Sequence, residues 1–118
     1  MNKPKTIFCD IDGTLFHHHG DLHKQMTEQP LLLPGAKEKL VEWDRNGYNI
    51  ILTTGRKESC RKLTENQLEQ AGIFYDQLIM GIGGGARVLI NDLKPNSNKE
   101  TATAINLVRN TGVTNVKV

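Results

Sequence analysis

Two carboxylates one residue apart, in Asp10-Ile11-Asp12-Gly13-Thr14, follow a short apolar run, Thr6-Ile7-Phe8-Cys9. Released from a strand into a glycine-containing turn, such a pair can face one ligand. Hard oxygens of this kind suit Mg²⁺, which takes one or two carboxylates together with water and phosphate oxygens. A second apolar run, Tyr48-Asn49-Ile50-Ile51-Leu52, ends in Thr53-Thr54-Gly55-Arg56. There hydroxyls and backbone N–H groups meet the start of a helical pattern, a natural place for an anion. A third run, Arg87-Val88-Leu89-Ile90, ends in Asn91-Asp92 and adds another acid. This is the inventory for metal-assisted phosphoryl chemistry.

The elements that must position these groups follow from the apolar periodicity. Thr6–Asp10, Tyr48–Thr53, Leu78–Met80 and Arg87–Asn91 have the near-continuous apolar pattern of buried parallel strands, and Val113–Val118 reads as a last one. Between them lie amphipathic helical patterns. One opens at Pro34-Gly35-Ala36, with Ala36, Leu40, Val41 and Trp43 on one side and Gly47 as its stop. Another runs from about Lys57 to Ala71, with Cys60, Leu63, Gln67, Leu68 and Ala71 inward and Gly72 ending it. A third is expected from Asn98 to about Asn110, with Ala102, Ile105 and Val108 inward. Alternating strands and helices predict an α/β fold with a mostly parallel sheet, whose ligand crevice lies at the carboxyl ends of the strands.

At 118 residues and 13.2 kDa the chain has room for one domain, expected to span 1–118. No apolar run approaches the length of a membrane span, and the N-terminus lacks the long uncharged stretch of an export signal. Cys9 and Cys60 form no metal-binding or disulfide pattern, so a cytoplasmic protein with reduced thiols is expected. The formal charge of +2 comes from 15 basic and 13 acidic residues. With basic residues scattered and aromatics few, nothing electrostatic calls for nucleic acid.

The motifs resemble those of the haloacid dehalogenase-like (HAD) hydrolase superfamily. Phe8-Cys9-Asp10-Ile11-Asp12-Gly13-Thr14 matches its first motif, Ile50–Arg56 its second and Val88–Asp92 its fourth. The resemblance implies a three-layer Rossmann-like sheet flanked by helices. It also implies a Mg²⁺-dependent phosphatase in which Asp10 is the nucleophile, Asp12 the general acid and base, and Thr54 a ligand of the transferring phosphoryl group. Asp10, the backbone carbonyl of Asp12 and Asp92 would hold the metal. Gly13, Thr14, Gly55 and Arg56 would line the phosphate site. The family's third motif is a Lys. The stretch Met80–Arg87 has none, which leaves Arg87 and Lys94 as its substitutes.

The stretches between Asp12 and Pro34, and between Gly72 and Arg87, are too short for a folded cap domain. A capless phosphatase of this size implies either a large substrate or an oligomer whose neighbour covers the site. Such a comparison weights a small sugar phosphate slightly above a nucleotide or phosphoprotein. The rival readings are a degenerate HAD domain acting as a binding module and a phosphotransferase. Among other features, Gly81–Ala86 has dinucleotide-loop spacing but no helix pattern after it. His17-His18-His19 and His23 read as a solvated loop rather than a metal site. Trp43 and Leu31–Leu33 read as packing, and Cys9 as a buried bystander.

Overall fold

The computed structural model describes residues 3–118. Its elements run β1 (Thr6–Asp10), α1 (Leu22–Thr27), α2 (Ala36–Arg45), β2 (Asn49–Thr53), α3 (Arg61–Gln70) and β3 (Gln77–Ile79). A 3₁₀ turn over Glu58–Cys60 leads into α3. The strands form one parallel sheet in the order β1-β2-β3, with helices in the connections between them. Asp10 lies opposite Thr53, and Leu52 opposite Leu78. Because every strand points the same way, the acids after β1 and the hydroxyls after β2 leave the sheet at one edge.

Helix α2 forms where the 3.6-residue pattern predicts. Ala36, Leu40 and Trp43 are buried on one face and the charged residues face out. Gly47 stops it with φ +77°, a left-handed turn that an L side chain rarely adopts. The buried face joins Ile11, Leu15, Phe16, Ile50, Leu52, Leu68 and Val113 in one apolar cluster. In α3 the inward residues are Thr64, Gln67 and Leu68, with Leu63 facing solvent. Among the described residues no helix is long and apolar enough to cross a membrane.

Three expected elements do not form. The chain at 87–91 is irregular and unpaired, with Val88 and Ile90 83% and 89% exposed. A strand holds only where a neighbour satisfies its backbone, and none is beside it. The same absence leaves Phe8 of β1 exposed on an edge strand that the apolar pattern predicts as buried on both faces. No helix spans 98–110. Ile105 and Val108 remain exposed, so no buried face offsets the cost of ordering a helix there. The final segment is a turn rather than a strand. Val113 enters the core, its N–H donating to Pro34 O at 2.8 Å, and Val116 packs half-buried against it.

One element was not expected. The polar stretch after His17 contains α1, started by Asp21, whose Oδ1 accepts the N–H groups of His23 and Lys24 at 2.9 and 3.3 Å.

Candidate active site

The turn after β1 is built on Ile11. Its side chain is fully buried, and its carbonyl accepts the N–H groups of Thr14, Leu15 and Phe16 at 2.8–3.2 Å. The chain reverses through Gly13 at φ +91°. Thr14 Oγ1 donates to Asp10 Oδ2 at a long 3.3 Å. Burial holds the Asp10 carboxyl above its ordinary range, and the Asp12 charge pushes the same way. The Ile11 N–H, the Thr14 hydroxyl and the charge of Arg87 oppose that rise.

Asp12 is held quite differently. Arg56 grips it at two points, Nε to Oδ2 and Nη2 to Oδ1, each at 2.7 Å. Gln25 Nε2 donates to Oδ1 at 2.7 Å as well. Arg56 Nη1 goes to Thr64 Oγ1 at 2.9 Å and Gln67 Oε1 at 2.7 Å. Arg56, expected to line the phosphate site, points its guanidinium at Asp12, Thr64 and Gln67 instead. Its guanidinium is buried and turned inward, because α3 presents acceptors there that a phosphate would have to displace.

Thr54 and Gly55 follow β2 directly. Thr54 N–H donates to Ile79 O at 3.0 Å, and its hydroxyl oxygen accepts the Arg56 N–H at 3.1 Å. Among the described residues that hydroxyl donates to nothing, and the residue is buried. The glycine loop 81–85 folds onto this turn. Gly81 N–H meets Arg56 O at 2.7 Å, Ile82 N–H meets Thr54 O at 3.2 Å, and Gly83 O comes within 3.0 Å of where a Cβ on Gly55 would sit. Arg87 donates to the carbonyls of Gly83 and Gly85, which keeps its charge within reach of Asp10.

Asp92 and Lys94 are not brought to this edge. Both are exposed on the irregular segment, and among the described residues Asp92 is engaged only through its carbonyl, which accepts Thr101 Oγ1 at 2.8 Å. Among the described residues no three His, Cys, Asp or Glu side chains are grouped to hold a metal, so the expected trio Asp10, Asp12 and Asp92 is not assembled. The strand that would carry Asp92 to the crevice is missing. A smaller donor set remains: the Asp10 carboxylate and the Asp12 main-chain carbonyl, which accepts no backbone N–H among the described residues. An exposed carboxylate with one weak side-chain partner, beside a second carboxylate, fits a hard divalent cation that keeps several waters.

Cys9 is a bystander. It is buried, and burial together with the Asp10 charge pushes its thiol up to about 12. The residues sequence reasoning missed are Gln25, Thr64, Arg109 and Asn110. Asn110 N–H donates to Gly13 O at 2.8 Å, and its side chain bonds both the N–H and the carbonyl of His18. The Arg109 side chain packs over Gly13. Gln67, which accepts from Arg56 beside Thr64, did carry a signal, its place on the inward side of a helical pattern.

Residues 4–87 match the family described as the polynucleotide kinase PNKP phosphatase domain of the HAD type. The chain belongs to the PNKP phosphatase family. A Mycoplasma pneumoniae protein described by name as a phosphatase is 32% identical over 97 residues, 80% of this chain and 29% of that protein. A chain in the Pnkp1/Rnl/Hen1 complex is 34% identical, with a TM-score of 0.60 over 72% of this chain and 30% of that one. A Vibrio cholerae protein shares the fold at 19% identity and a TM-score of 0.54, over 75% of this chain and 79% of its own. The chain thus spans about 30% of the first two relatives. The PNKP phosphatase match covers the turns after β1 and β2 and ends on Arg87, leaving out Asp92 and Lys94.

Proposed function

We propose that this chain is a Mg²⁺-dependent phosphomonoesterase that works through an aspartyl-phosphate on Asp10. The observation that carries the reading is the unequal treatment of two neighbouring carboxylates. Asp12 is clamped by Arg56 and Gln25, whereas Asp10 has one long side-chain contact and is left to react.

In the first step an Asp10 oxygen attacks phosphorus, the ester P–O bond breaks, and Asp12 gives its proton to the departing oxygen. In the second, water attacks the same phosphorus while Asp12 takes a proton from it, releasing inorganic phosphate and restoring the Asp10 carboxylate. The Thr54 hydroxyl donates to a phosphoryl oxygen, and Arg87 offsets part of the accumulated negative charge. Asp10 and the Asp12 carbonyl would hold Mg²⁺, which when bound screens the repulsion between carboxylate and phosphate. The family match adds a phosphorylated polynucleotide end to the substrates considered and sets it ahead of the sugar phosphate expected from size. The lack of a folded cap among the described residues leaves the site open to such a substrate.

The test is release of inorganic phosphate, with and without Mg²⁺, from oligonucleotides carrying a terminal phosphate and from sugar phosphates. Mg²⁺-dependent release that disappears in Asp10→Asn supports the reading. No release from any of them, or full release by Asp10→Asn, overturns it.

A further inference from the structure

We infer that Gln25 is a positioning residue for Asp12, filling one carboxylate oxygen so that the proton is exchanged at the other. The inference rests on the phosphatase reading above. Asp12 Oδ1 accepts two hydrogen bonds, from Gln25 Nε2 and Arg56 Nη2, both at 2.7 Å. A carboxylate oxygen has two in-plane lone pairs, so Oδ1 is full. Among the described residues Oδ2 accepts only Arg56 Nε, at 2.7 Å, and keeps one lone pair open. Arg56 alone gives each oxygen one bond and leaves the two equivalent. Gln25 makes them different.

Gln25 is itself closely fixed. It is 6% exposed. Its Oε1 accepts the His19 N–H at 2.8 Å, and Nε2 also reaches His17 O at 3.1 Å. Its backbone carbonyl accepts Gln67 Nε2 at 3.1 Å, and Gln67 Oε1 accepts Arg56 Nη1 at 2.7 Å. Asp12, Gln25, Gln67 and Arg56 therefore close a ring of hydrogen bonds joining the turn after β1, the helix α1 and the helix α3. A reacting group held by such a ring keeps its orientation without paying for it at each turnover.

A proton donor matters most when the leaving oxygen is strongly basic. Nitrophenolate departs without a proton, whereas the alkoxide of an alkyl phosphate needs one. Wild type, Gln25→Met and Gln25→Glu are compared by kcat/KM, which covers departure of the leaving group, on p-nitrophenyl phosphate and on glycerol phosphate. Methionine keeps the volume and removes the donor; glutamate keeps the shape and sets a second carboxyl against Asp12 in place of the amide donor. Both variants are expected to lose about 100-fold on glycerol phosphate, the lower range for a lost acid–base contribution, and to stay within about threefold on the aryl ester. Equal losses on both esters would assign Gln25 to packing and overturn the inference, as would no loss on either. A thermal melt checks folding, and Gln25→Glu decides if Gln25→Met does not fold. A wild type that releases phosphate neither from these esters nor from terminally phosphorylated oligonucleotides, or that is unaffected by Asp10→Asn, overturns the phosphatase reading and this inference with it.

Discussion

Arg56 reaches across 44 residues of chain to meet Asp12 at two points, each 2.7 Å long. Its planar fork matches the carboxylate, and its remaining nitrogen is taken by Thr64 and Gln67 from α3. The side chain is 3% exposed and that of Asp12 16%, so the pair is shielded from water. Lysine carries the charge but not the fork. Arg56→Lys is expected to lower kcat by about 100-fold, as a catalytic carboxylate loses its orientation. Arg56→Met leaves the Asp12 charge unpaired and is expected to cost about 3 kcal/mol, the lower end for a broken buried pair. Urea denaturation at neutral pH and steady-state kinetics check the two effects.

Asp10 predicts a pH dependence of stability in the metal-free protein. Its carboxyl is held above the ordinary range chiefly by burial, so the folded state binds the proton more tightly than the unfolded chain does. That contribution is complete below the ordinary carboxylate range and is lost as pH rises through the raised value. Asp10→Asn removes the loss. Melts in a chelator are expected to show the variant more stable than wild type at pH 7, with the gap closing near pH 3.

Divalent cation should reverse the Asp10 penalty. A ligand of the folded state at a hundredfold excess over its Kd stabilises by about 2.7 kcal/mol. Mg²⁺ is expected to raise the Tm of wild type, chelation to cancel the rise, and Asp10→Asn to show none. A rise that persists in Asp10→Asn would place the ion elsewhere.

Thiol chemistry separates the two cysteines. Cys9 is buried with its thiol pushed up to about 12, and Cys60 is half-buried at the head of α3. The thiolate is the reactive form. With a disulfide reagent at pH 8, Cys60 is expected to react within minutes and Cys9 only after denaturation. Modification of Cys60 should leave turnover intact.

The parts of this fold legible in the sequence are those whose signal is local. Asp10 to Thr14 carries its own turn, with Gly13 supplying the positive φ. Helix α2 carries both its apolar stripe and its glycine stop. Helix α1 also had a local signal in Asp21, but a run of histidines and polar residues masked it. What was not legible depends on partners. Val88-Leu89-Ile90 has strand composition, yet a strand also requires an edge to pair with, and its own residues do not supply one. Likewise the position of Arg56 at the crevice was readable, but the direction of its guanidinium was set by Thr64 and Gln67 on another element.

The long irregular stretch between Ile82 and Asn110 is moored at both ends to the turns after β1 and β2, by Ile82 N–H on Thr54 O and Asn110 N–H on Gly13 O. The entropy of closing such a span grows only with the logarithm of its length, about 0.6 kcal/mol for each doubling. Residues added between the moorings would cost little and would move neither Asp10 nor Asp12. This stretch is where the chain can lengthen, acquiring a new surface or a new partner, while its chemistry stays in place.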